Sequence, residues 1–167
     1  MGATFVFQQT AMKFTDKLKE LHACWEAVKW VGRRGIKTAW RDCKRGDWML
    51  WLAGKLDIDR KLLVLAACDC AEQSLIYVPK GEDRPAKAIQ VARNWCNGTA
   101  SIDDVRAAKR NAAAYAAYAA DAADAADAAA AAVYADAAAA YASETSLNTS
   151  ADLVRKRIPV EMIEALL

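Results

Sequence analysis

The sequence predicts an all-α fold: a compact single-domain helical bundle with a long alanine-rich C-terminal helix. Three observations carry that reading. Leu18, Leu21, Trp25 and Val28 recur at spacings of three and four, as one buried helical stripe requires. The apolar runs, such as Leu62 to Ala67, show no strand-like alternation and are rich in leucine and alanine. From Ala107 to Ala142, 24 of 36 residues are alanine, and no glycine or proline falls between Gly98 and Pro159. Alanine is the best helix former, so this tract is expected to be helical before tertiary contacts help.

With 167 residues, one domain is expected, large enough to bury a core without disulfide or metal. The expected layout is a single domain over 1–167. Core helices occupy 10–97, the alanine-rich helix 101–143, and a docking tail 151–167.

The first helix is expected from Thr10 to Val31, ended by Gly32 and Gly35, with Arg33 and Arg34 near its negative end. A short helix after Thr38 holds Trp40 and Cys43 and breaks at Gly46. Asp47 can cap the next turns, Trp48 to Lys55, which are apolar nearly all round and belong in the interior. Asp57 can cap a helix from Ile58 to about Tyr77. Pro85 suits the first turn of a helix that carries Trp95 and ends near Asn97-Gly98. Ser101 to Asp104 reads as a capping box with Asp in place of the usual Glu.

A continuous alanine helix of about 40 residues would span roughly 60 Å. That exceeds a compact domain of this size, so one long, bent helix is expected, with a hairpin as the alternative. Asp121, Asp124 and Asp127 share one broad side of it. The tract reads as a packing helix with an acidic solvent face, as a seam for self-association into a homo-oligomer, or as an acidic face meeting a basic partner. A turn-like stretch, Ser143 to Ser150, should precede a short helix, Ala151 to Arg157. Val160, Ile163, Leu166 and Leu167 should dock onto the core.

Chemistry-bearing constellations are sparse. The five cysteines are odd in number and follow no secretory signal, so free thiols in a reducing cytoplasm are expected. Cys68 and Cys70 would point about 200° apart on a helix and cannot chelate one ion. The single histidine, His22, has no ligand partner at matched spacing. No metal site, cofactor or catalytic set is therefore expected, and the chain reads as a non-enzyme. The net charge of +2 gives no global pull toward nucleic acid or membrane. The aspartates of the alanine tract argue against a transmembrane helix.

What stands out is charge embedded in apolar sequence. Asp69 follows seven uncharged residues, so it needs a cationic partner, and Arg84 and Arg93 are the expected ones. Such a set is either an internal salt-bridge network or a pocket whose arginines take a small anionic ligand or an acidic side chain, with tryptophans as walls.

The run Ala39-Trp40-Arg41-Asp42-Cys43-Lys44-Arg45-Gly46-Asp47-Trp48-Met49-Leu50-Trp51-Leu52 resembles the signature of a family of immunity proteins from bacterial polymorphic-toxin and prophage loci. Arg60-Lys61 with Leu65-Ala66-Ala67-Cys68-Asp69-Cys70-Ala71 is similar to its second motif. Arg84-Pro85, Ala88-Ile89 and Ala92-Arg93 with Trp95 are similar to its third, and the alanine tract to its C-terminal helix. The resemblance spans roughly Leu21 to Ala142. It implies a cytoplasmic protein that neutralises a toxin by binding it or, if phage-borne, blocks a host defence component. It places the family's motif positions at Trp40, Asp47, Trp48, Arg60, Asp69, Arg84, Arg93 and Trp95. The second reading is a small-ligand binder with a pocket lined by Arg84 and Arg93.

Overall fold

The computed structural model describes residues 13–112 and 132–167, and the side chains within these except Ser74, Tyr77 and 132–144. Every regular element among the described residues is helical. In chain order they are α1 (Phe14–Glu20), α2 (Trp25–Val31), α3 (Ile36–Asp42), α4 (Gly46–Lys55) and α5 (Arg60–Glu72), continued by a 3₁₀ turn, Gln73–Tyr77. Then come α6 (Arg84–Cys96), α7 over 102–112, α8 (Ala132–Arg157) and α9 (Val160–Glu164). Whether the alanine tract is one bent helix or a hairpin, and where Asp121, Asp124 and Asp127 point, lie outside the described residues.

Local chemistry explains several boundaries. Asp59 caps α5, its Oδ1 accepting from the Leu62 N–H at 3.0 Å. Pro85 stands in the first turn of α6, where its missing N–H has no cost. Ser101 and Asp104 form a reciprocal capping box. The Asp104 N–H donates to Ser101 Oγ at 3.1 Å, and the Ser101 N–H donates to Asp104 Oδ2 at 2.8 Å.

The centre of the fold is the packing of α8 on α4 and α5, with α6 on the far side of α5 and α9 against α3. Val154, Ile158 and Ile163 are fully buried beside Met49, Leu52 and Ala53. The C-terminal stretch is therefore a spine of the core. Two contacts clasp its end to α3. The Trp40 indole N–H donates to the Ile158 carbonyl at 3.2 Å. Arg155 Nη1 donates to the carbonyls of Trp40 and Cys43 at 2.9 and 2.8 Å, closing the C-terminal end of α3.

Several expectations are corrected. The segment expected as one helix from Thr10 to Val31 is two helices where described. His22 adopts a left-handed φ of 61° and turns the chain between them. The turn takes Trp25 out of the stripe, leaving it 66% exposed. Gly46 opens α4 where a break was expected, and Asp59, not Asp57, caps α5. Ser143 to Ser150 is helical, part of α8. Within it Thr149 Oγ1 donates back along the helix to the Thr145 carbonyl at 2.9 Å. Val160 and Ile163 dock as expected, but Leu166 and Leu167 stay exposed.

Candidate functional site: a tryptophan-walled cleft and an aspartate hub

Two features concentrate unusual side chains. The first is a hub on Asp69, whose side chain is 13% exposed. Arg157, from the last turn of α8, grips the carboxylate with two bonds, Nε to Oδ2 at 2.5 Å and Nη2 to Oδ1 at 3.2 Å. Arg93 of α6 adds Nη2 to Oδ1 at 2.9 Å and reaches Glu72 Oε2 at 2.8 Å. Burial pushes the Asp69 carboxyl upward, but the two guanidinium groups outweigh it and hold it below the usual carboxylate range. One carboxylate thus joins α5, α6 and α8.

The thiols flanking Asp69 point apart, as a step of two along a helix dictates. Cys68 lies against the Ile89 carbonyl of α6 at 3.9 Å, and Cys70 against the Ser150 carbonyl of α8 at 3.6 Å. Among the described residues no cluster of histidine, cysteine, aspartate or glutamate is arranged to hold a metal.

The expected partnership of Asp69 with Arg84 is not formed in this arrangement. Arg84 instead forks onto Glu82, its Nε and Nη2 donating at 2.7 and 2.5 Å. The two residues are neighbours on the approach to α6, so Glu82 meets the guanidinium first. Arg60 lies exposed in the first turn of α5, and Trp95 is half-buried on α6. The residue that sequence reasoning missed is Arg157. It sits in the basic run Arg155-Lys156-Arg157, where nothing local marks one guanidinium as internal.

The second feature is a cleft of about 490 Å³ between α1, α2, α3 and α4. Trp30, Trp40, Trp48 and Trp51 wall it, and His22, Cys24 and Asp47 bring its polar atoms. Trp30 and Trp48 meet edge to face, ring centres 6.3 Å apart. Asp47 is held by Arg45, whose Nε and Nη2 donate at 2.8 and 2.6 Å. That fork keeps the Asp47 carboxyl below its ordinary range. The same guanidinium lies 4.4 Å over the Trp48 ring. Asp47 and Trp48 therefore belong together here, while Asp69 and Arg93 form the separate hub. Arg84 and Arg93, expected to line a pocket, do not line this one.

The cysteines give a direct probe of the cleft. Cys24 is exposed and lines it, whereas Cys43, Cys68 and Cys96 are buried and Cys70 is half-buried. Burial raises the thiols of all four of these. Low thiolate fraction and poor access both slow reaction. A disulfide-exchange reagent is expected to titrate one thiol per chain in a fast phase and the other four only on unfolding. Cys24→Ser should abolish the fast phase.

No helix among the described residues is long and apolar enough to cross a membrane. The family model described as "Imm-5 like putative immunity protein" matches residues 56–151, more than half of the chain. The match takes in Asp69, Glu72, Arg84, Arg93 and Trp95. The tryptophan-rich run 39–52 and Arg157 fall outside it. No curated protein and no solved structure matches the chain.

Proposed function

We propose, given that the chain belongs to the Imm-5 like immunity protein family, that it neutralises a toxin by direct, non-catalytic binding. Trp25 carries this reading. It is 66% exposed, carries the Lys29 ammonium 5.2 Å over its ring, and adjoins Cys24, which lines the tryptophan-walled cleft. A large aromatic left in water beside a concave apolar surface is the composition of a binding hot spot. The Asp69 hub supports the reading from behind, because it ties three helices into a stiff frame that can present such a surface without reordering.

The residues of the hub and the cleft then divide by role. Asp69, Arg93 and Arg157 hold the frame, and Asp47, Trp48 and Trp25 stand at the recognition face. The test is protection of cells. The partner is captured from the native host by crosslinking, identified by mass spectrometry, and co-expressed with this protein. Restored growth is the expected result. Trp25→Ala should lose at least about tenfold in affinity, as a hot-spot truncation does, with an unchanged melting curve. A captured partner with no toxicity, or full protection by Trp25→Ala, would refute the assignment.

A further inference from the structure

The cleft carries a charge signature that the chain as a whole conceals. Residues 13–55 hold eleven lysines and arginines against five aspartates and glutamates, and residues 1–12 hold none of either, so this third of the chain is +6. The whole chain is only +2, so residues 56–167 are −4. Four of the eleven cations of the first part are seated on tryptophans. Arg34 lies 5.0 Å over Trp30, Arg45 4.4 Å over Trp48, Lys55 6.0 Å over Trp51, and Lys29 5.2 Å over Trp25. Three of those four rings wall the cleft. The nearby acids are largely spent on neighbours: Asp47 on Arg45, Asp42 on Arg41, Asp16 on Lys19, and Glu20 on Lys17. Among the described residues, Lys29, Arg34 and Lys55 form no close ion pair with a carboxylate, although Arg34 is near enough to help lower the Asp42 carboxyl.

We propose that this cleft receives a bulky apolar side chain from an acidic segment of the partner protein, whose carboxylates meet the cations seated on the tryptophans. The proposal rests on the immunity reading above and assigns the chemistry of the partner's contact segment. Apolar depth rewards burial of a large side chain. A cationic rim rewards carboxylates around it and disfavours a basic segment. The shape argues for protein over other anions. A membrane is gripped by apolar side chains that project outward, whereas Trp30, Trp40, Trp48 and Trp51 line a concave cleft. Single-stranded nucleic acid stacks its bases on bare ring faces, whereas Lys or Arg already sits over three of the four rings that wall the cleft. The cleft also lies wholly within residues 14–52, before the family match begins at 56. The proposed contact surface thus lies outside the stretch that the family model matches.

The experiment pans a random-peptide display library against the full chain at low salt. Enriched peptides are then synthesised and tested for binding and for protection of Cys24 from a disulfide-exchange reagent. Acidic peptides with one aromatic or large aliphatic residue are expected, and they should slow the fast Cys24 reaction. Because Lys29 and Lys55 are exposed, the double variant K29E/K55E should fold normally. It should bind those peptides at least about fivefold more weakly at low salt, a difference that shrinks as salt rises. Neutral or basic enriched peptides, no enrichment, or acidic peptides that leave Cys24 equally reactive would each overturn the proposal. So would shielding of Cys24 by phosphatidylserine vesicles, by oligothymidylate, or by a dimer of this chain, where peptides fail to shield it. The two readings fail separately. Unchanged low-salt affinity of K29E/K55E for the captured toxin would reject the acidic segment and leave the immunity role standing. A captured partner without toxicity would reject the immunity role and leave the peptide result standing.

Discussion

Gly46→Ala is expected to destabilise the protein by about 3 kcal/mol, the upper part of the range for overpacking a close contact. A Cβ at position 46 would lie 2.5 Å from Ser150 Cβ, 2.7 Å from Ser150 C and 2.8 Å from Ala151 N. Two of those atoms are backbone of α8, so no rotamer change relieves the overlap and the helices must move apart. Separation would open the packing of Met49 and Leu52 around Val154, and loss of dispersion contacts follows even a small gap. Gly54→Ala is the internal control. Its Cβ would meet only Leu63 Cδ2 at 3.5 Å, an ordinary contact. Within the same helix it should stabilise by about 0.5–1 kcal/mol through helix propensity alone. Paired thermal melts decide the matter. Equal effects of the two substitutions would show that α4 and α8 do not approach as described.

The contrast between those glycines shows where sequence reading stops. Gly46 reads as a helix breaker, because a glycine before Asp-Trp looks like punctuation. Its value is the missing side chain, which matters only once α8 lies across it, and α8 arrives from a hundred residues away. Local signals were legible for the opposite reason. Ser101 and Asp104, Pro85, and the divergence of Cys68 and Cys70 each depend on geometry within one turn of helix. Helicity itself was legible from alanine content and spacing.

The failures share a cause. Trp25 fits the three-four spacing of its neighbours, but the stripe holds only if the helix continues. His22, with no glycine to mark the turn, reverses the chain and leaves the ring in water. Asp69 was recognisable as a charge in need of a cation because its flanks are uncharged. Its second partner, Arg157, was hidden by two basic neighbours, Arg155 and Lys156. Arg155 is also inward-facing, closing α3, so composition does not separate structural arginines from solvated ones. Of the cleft, the tryptophans were visible as interior candidates. That they would enclose a hollow depends on how four short helices meet, and no single helix encodes that.

Asp69→Asn should cost about 2 kcal/mol near neutral pH, less than a fully buried pair because both arginines reach solvent. The amide keeps the shape but removes the charge, so Arg157 loses its carboxylate and Arg93 keeps only Glu72. Arg157→Ala and Arg93→Ala should each cost less than Asp69→Asn, because Asp69 retains one guanidinium in either case. A double-mutant cycle between the arginines should show coupling through the shared carboxylate. The pH dependence separates charge from packing. The folded-state carboxyl titrates below its unfolded value of about 3.9, so its stabilisation is complete above that value and fades as pH falls through the folded one. The stability gap between native protein and Asp69→Asn should therefore be constant from neutral pH down to about pH 5 and narrow below about pH 4. Denaturant titrations at a series of pH values measure it. A gap that stayed the same into the acid transition would mean that Asn disturbs the packing of α5, α6 and α8 and that the hub's charge contributes nothing to holding them.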